Sequence, residues 1–233
     1  MSPTTEHTGA DNQVTFDSLV DDPEVREMIA AADQQMQAIG YTEHGLRHAK
    51  IIAGNASMIL ESLERFNERE VELGKIAGLL HDIGNLISRE GHATTSALLA
   101  YNLLRERGMP IREVTKVAAA IGTHDELGTP EPTSELGAAV LIGDKADVAR
   151  ERVRNPQMAA FDIHDRINYA AQDTKLEISP DTKTISLDLT IDTEIGSVME
   201  YFEIFLSRMV ISRKAARMLG CDFRLIINGV PLL

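Results

Sequence analysis

Apolar positions recur with a helical period up to about residue 170 and then alternate with polar ones, so helices are expected first and strands afterwards. Asp22-Pro23-Glu24 opens a helix, with Asp as cap and Pro in the first turn, that runs to Ile39 and is ended by Gly40. A second helix is expected from about Thr42, with His44 in its first turn and Ala49, Ile52, Ala53, Ala56, Leu60 and Leu63 on one face. Asn67-Glu68-Arg69-Glu70 has the form of a capping box and starts the helix that delivers His81-Asp82. His92 opens a helix to about Arg107, stopped by Gly108 and Pro110. Ile111–Thr123 is the next helix, Leu127–Thr133 a loop, and Ser134-Glu135 the start of a helix carrying Asp144. Beyond residue 171, Leu176–Ile178, a turn at Ser179-Pro180-Asp181 and the alternating Thr184–Ile191 read as paired strands. Ile195, Val198, Phe202, Phe205 and Met209 mark a long helix ended by Gly220, and Phe223–Ile227 reads as a final strand. Three segments follow: a loose tail over 1–15, a helical domain over 16–170, and a small α+β extension over 171–233 that packs on it or pairs two subunits as a homodimer.

Composition narrows the function. The 233 residues are 43% hydrophobic but only 4% aromatic, so the core is built mainly from Leu, Ile, Val, Ala and Met. A net charge of −13 disfavours nucleic acid and anionic membranes as partners. The single Cys221 allows no intramolecular disulfide and no thiolate cluster. With no basic segment followed by an apolar run at the N-terminus, a cytoplasmic location is expected.

The chemistry-bearing residues sit near helix ends: His44, His81, Asp82, His92, His124 and Asp144. A His-Asp dipeptide alone carries little information. Here it stands where a buried apolar run gives way to Gly84, and a buried imidazole and carboxylate are costly without a partner. Imidazole with carboxylate suits iron, manganese, zinc or cobalt better than calcium. Six such residues exceed the needs of one four-coordinate ion, so two ions bridged by Asp82 are expected. Asp147 competes with Asp144 for the last position. His48, four residues after His44, shares a helix face with it; spacing alone would allow a metal pair. His164-Asp165 repeats the dipeptide without the apolar helix and glycine, and is read as a decoy for metal.

Glu43-His44-Gly45-Leu46-Arg47, Leu80-His81-Asp82-Ile83-Gly84, and the later His124 and Asp144-Lys145 resemble the HD superfamily of metal-dependent phosphohydrolases, over roughly Thr42 to Asp147. The resemblance implies a mainly α fold, an HD-domain helical bundle, here followed by antiparallel strands and a long helix. It implies His44, His81, Asp82 and Asp144 as the basic ligand set, favouring Asp144 over Asp147, with His92 and His124 added as in the binuclear branches. Two divalent transition-metal ions are implied, Fe or Mn foremost, with Zn, Co, Ni or Mg as alternatives. The expected activity is hydrolysis of a phosphomonoester or phosphodiester, most naturally in a nucleotide, by a metal-bound hydroxide. Asp82 and Lys145 are then the catalytic candidates, and Lys145, Arg150, Arg154, Arg47 and His48 the substrate-binding ones. The family usually has an apolar residue where His48 stands, which favours a core or substrate-facing role for it. The Gly-Tyr-Pro element of cyclic-dinucleotide enzymes is absent, since Asn85-Leu86-Ile87 follows Gly84. A di-iron oxygenase with the same ligands and a non-catalytic ligand-binding module are the alternatives.

Overall fold

The computed structural model describes residues 13–125, 131–154 and 162–232. Residues 1–12 of the expected tail with His7, Glu126, and residues 127–130 of the expected loop lie outside them. The described helices are α1 (Phe16–Val20), α2 (Pro23–Ala38), α3 (Leu46–Ser62), α4 (Glu68–Leu80), α5 (His92–Glu106), α6 (Ile111–Gly122), α7 (Glu135–Lys145), α8 (Ile163–Ala170) and α9 (Val198–Met218). Strands β1 (Ala171–Ser179), β2 (Thr184–Ile191), β3 (Asp222–Ile227) and β4 (Val230–Pro231) form one sheet in that order. Short 3₁₀ turns cover Ile83–Leu86 and Arg150–Arg152.

Local chemistry sets the helix starts. Asp22 accepts from Glu24 N and Val25 N ahead of α2, and reciprocal capping boxes join Asn67 to Glu70 and Ser197 to Glu200. Ordered packing begins inside the expected tail: Val14 is buried, and Thr15 caps α1.

Helix α4 is the hub. Val71, Leu73, Ile76, Ala77, Leu79 and Leu80 are all buried, and α3, α6 and α7 pack around it. Each fully buried Leu or Ile there contributes roughly 1.5–3 kcal/mol of transfer free energy. The α3–α4 crossing is close because residue 78 is glycine. A Cβ at Gly78 would lie 2.7 Å from Ala53 N and 2.8 Å from Ala53 Cα. That approach holds the end of α4, and with it His81-Asp82, against α3.

The extension is not a separate layer. Ile185, Leu187, Leu189 and Ile191 on β2 and Tyr201, Phe205 and Met209 on α9 belong to the same apolar cluster as the α3, α4 and α7 cores. The expected antiparallel pairing holds for β1–β2, whereas β2 and β3 run parallel, and β4, which was not expected, pairs antiparallel with β3. A parallel pair needs a long crossover, and α9 is that crossover. It packs on α7 and so reaches the helical block next to Asp144.

Candidate metal centre

Helix ends converge on one buried basin. The segment before α3 brings His44, the first turn of α3 brings His48, and the end of α4 brings His81 and Asp82. The start of α5 supplies His92, the residues after α6 supply His124, and the last turn of α7 supplies Asp144 and Lys145. His48, His81, His92 and His124 are each at most 2% exposed. Successive ring centroids lie 5.5 Å (His44–His48), 5.1 Å (His48–His81), 4.9 Å (His81–His124) and 5.1 Å (His124–His92) apart.

Hydrogen bonds fix which nitrogen faces the basin. Nδ1 of His44, His81, His92 and His124 lies 2.7, 2.7, 3.1 and 2.7 Å from the carbonyls of Thr42, Gly78, Arg89 and Ile121. A carbonyl only accepts, so each Nδ1 carries the proton, and a neutral ring leaves its Nε2 lone pair free. This is the tautomer a metal-ligating imidazole uses.

Asp82 stands between two groups of rings. Its Oδ1 lies 3.3 Å from His92 Nε2 and 3.7 Å from His124 Nε2. Its Oδ2 lies 3.4 Å from His81 Nε2 and 3.9 Å from His48 Nε2. Asp144 Oδ1 completes the second group at 3.8 Å from His81 Nε2. Buried His48 Nε2, His81 Nε2 and Asp82 Oδ1 have no hydrogen-bond partner. His92 Nε2 and His124 Nε2 face each other at 3.2 Å, a repulsive pair of lone pairs unless a cation or proton lies between them. Unsatisfied acceptors this deep are expensive, and lone pairs of this kind fit divalent metal ions.

The charges agree with that fit. Burial would raise the Asp82 carboxyl, but His81, His124 and His92 around it hold it well below the usual range. Burial opposes Asp144 ionisation as well, and the Lys145 ammonium, whose Nζ is 2.8 Å from Asp144 Oδ2, outweighs it. Burial pulls His81 down, yet Asp82 and Asp144 carry it above its ordinary value. Burial lowers His44 strongly, helped by Arg152, and lowers His92 to about 4 against the pull of Asp82.

Arg89, Lys145, Arg152 and Arg208 line the basin. It adjoins a vestibule of about 360 Å³ to which Tyr41, His164, Asp165, Ile204 and Phe205 contribute, and His44, Arg89, Arg152 and Arg208 line both spaces.

The structure gathers His81, Asp82, His92, His124 and Asp144 as expected, and rearranges several other expectations. His44 lies ahead of α3 rather than in its first turn. Asp33 Oδ1 accepts from its backbone N–H at 2.7 Å, and Glu43 pairs with Arg152 through backbone, which keeps the segment extended. His44 lines the basin, but its Nε2 meets Arg152 Nη2 at 3.3 Å and joins neither compact donor group. Asp147 sits behind His48, not in the basin. Arg150 and Arg154, expected to bind substrate, do not line the basin, because α7 ends at Lys145 and the chain beyond it turns. Arg150 donates to Tyr169 O and stacks 4.4 Å over the Tyr169 ring. Arg154 is tied to Asp33 and the carbonyls of Tyr41 and Thr42. Arg47 is paired with Glu43 at 2.9 Å and Asp147 at 3.0 Å. His48, expected to be a core or substrate-facing residue, is fully buried among the ligand candidates. His164-Asp165 opens α8 at the vestibule rim, outside both donor groups.

Arg89, Arg152 and Arg208 take the places that Arg150 and Arg154 were expected to fill. Arg89 had a signal, a cation three residues before a candidate ligand. Arg208 had one too, since it follows Ile204 and Phe205 on the apolar side of α9. Nothing in the 150–154 run distinguishes Arg152.

Histidines and aspartates from successive helix ends, converging on one buried basin, define a helical metal-binding class of protein. Residues 43–167, just over half of the chain, match the HD domain family, and the chain belongs to that family. It is 27% identical over 207 residues to uncharacterized protein MJ1020 of Methanocaldococcus jannaschii, covering 79% of this chain and 78% of that one. A crystal structure of a "predicted HD superfamily hydrolase" from an uncultured Thermotogales bacterium is 28% identical, covering 55% of this chain and 70% of its own, with a TM-score of 0.41. Among the described residues no helix is long and apolar enough to cross a membrane.

Proposed function

We propose that the protein is a metal-dependent phosphohydrolase acting on a phosphomonoester or phosphodiester, most naturally a nucleotide. The observation that carries the reading is the split environment of Asp82. One oxygen faces His92 and His124, the other His81, within a basin edged by Arg89, Lys145, Arg152 and Arg208. His48, His81, Asp82 and Asp144 would hold one ion, and Asp82, His92 and His124 a second. Such ions, when bound, acidify a water and neutralise charge on a phosphoryl group.

The chain's own residues do the rest. The Nδ1–carbonyl bonds fix each ring, so the site is organised before substrate arrives. Lys145 stands beside Asp144, where its ammonium would meet a phosphoryl oxygen. Arg152 and Arg89 would hold the remaining oxygens, and Arg208 brings a charge from α9 on the vestibule side. The vestibule would take the organic part of the ester, against Tyr41, Ile204 and Phe205. No protein nucleophile is required: Cys221 is buried at the foot of β3.

The test is an anaerobic screen of nucleotides and phosphate esters with Mn(II), Fe(II), Co(II) and Zn(II), run beside His81→Ala and Asp82→Ala. Phosphate or nucleoside release by the wild type, lost in both variants, is expected. Equal rates in all three would remove the site assignment. Turnover that needs iron and consumes dioxygen would replace hydrolysis by oxygenation.

A further inference from the structure

We propose that the outward face of α9 docks a second copy of this chain, the two helices running antiparallel about a two-fold axis midway between Leu206 and Val210. Met199, Glu203, Leu206, Val210, Arg213 and Arg217 are all exposed. Their spacing alternates four and three residues, the 3.5-residue period that keeps one face of a helix against a partner helix. The stripe runs for about 27 Å along α9. Met199, Leu206 and Val210 are 69, 55 and 39% exposed, large apolar side chains left largely uncovered among the described residues. The opposite side of α9 is already occupied. Tyr201, Phe205 and Met209 pack into the core, and Ile204 and Arg208 line the vestibule.

Charge selects the occupant and its direction. The stripe is acidic at one end, Glu203, apolar in the middle, and basic at the other, Arg213 and Arg217. None of these three side chains forms an ion pair among the described residues. Arg213 and Arg217 stand one turn apart, a like-charge pair that an acid from outside would relieve. Reversing a second copy sets Leu206 on the partner's Val210 and Glu203 on the partner's Arg213. It also lays Met199 along the aliphatic stem of the partner's Arg217. The two-fold axis repeats every contact, so the face is self-complementary, as an isologous pair requires. A parallel pair would set Glu203 against Glu203 and Arg213 against Arg213, which electrostatics disfavours. The net charge of −13 opposes self-association in general, and the basic end of α9 offsets it locally. One helix pair is a small interface, below the roughly 1,200 Å² of stable complexes, so the dimer dissociates on dilution.

The test is sedimentation velocity of the full chain over a wide range of concentration, with circular dichroism melts to establish that each variant folds. Wild type should pass from monomer to dimer as concentration rises. Leu206→Ser combined with Val210→Ser removes the apolar centre and should leave a monomer. Glu203→Arg and Arg213→Glu, each alone, should weaken dimerisation by about tenfold, because the two-fold axis doubles every lost pair. The two reversals together restore opposite charges across an antiparallel pair and should recover the dimer, a result that no folding defect produces. A wild-type dimer indifferent to the serine pair and to both single reversals would put the contact elsewhere on the molecule and overturn the proposal. Weakening in the single reversals without recovery in the double would overturn the antiparallel arrangement. A wild type that stays monomeric throughout would overturn the second copy as occupant and leave the face to a different protein.

Discussion

Replacing Gly84 with alanine should loosen the α5 end of the site. Gly84 follows His81-Asp82-Ile83 in the 3₁₀ turn, and the first turn of α5 lies directly against it. A Cβ there would sit 2.4 Å from His92 O and 2.4 Å from Ser96 N, both backbone atoms. Ordinary contact is about 3.5 Å, so the start of α5 must retreat by about 1 Å. The Gly84 N–H bond to Ser96 Oγ, 2.7 Å, is strained or lost with it. Overpacking against backbone plus that bond amounts to about 2–4 kcal/mol. For a chain of this size that is a fall of about 5–15 °C in Tm. The same retreat moves His92 away from Asp82, so the ion shared by Asp82, His92 and His124 should bind more weakly. Gly54→Ala is the matched control. It is exposed in mid-α3, with nothing within 4 Å of an added Cβ, and should stabilise by about 0.5–1 kcal/mol. Thermal unfolding of the metal-free proteins decides. A Gly84→Ala Tm equal to wild type would refute the close-approach argument.

The metal-free protein should be most stable near pH 6.5. His44 and His92 are depressed in the folded state, His92 to about 4, so between pH 6.5 and 4 the unfolded chain binds more protons and stability falls on acidification, by on the order of 3 kcal/mol for His92. His81 is raised, so its contribution is complete below pH 6.5 and fades as pH rises through its folded value. Urea midpoints across pH 4–9 check both limbs, and a flat profile would contradict them. Arg208→Ala should lower kcat/KM for the phosphorylated substrate by about 10–100-fold, with Arg208→Lys recovering part of it; unchanged kcat/KM would remove α9 from substrate binding.

Much of this was readable from sequence because local chemistry writes itself into short windows. The Asn67 capping box, the helix ends at His81 and His92, and the alternation in Thr184–Ile191 each depend on neighbours a few residues away. What was not readable depends on distant partners. His44 leaves the helix because Asp33 and Arg152, far along the chain, hold its segment extended. Arg150 and Arg154 look equivalent to Arg152 until the end of α7 at Lys145 turns the segment and directs Arg152 alone to the basin. The parallel β2–β3 pair follows from where α9 packs, a tertiary fact. His48 is the sharpest case: four-residue spacing allowed a ligand, and only its place beside His81 and Asp144, with Asp147 behind it, favours one.

Anomalous diffraction from crystals grown with Mn(II) tests the centre most directly. Two peaks about 3.5–4 Å apart are predicted, one reached by Asp82, His81 and Asp144 and the other by Asp82, His92 and His124. A map with no peak in contact with Asp82 would contradict the metal centre and the hydrolase built on it.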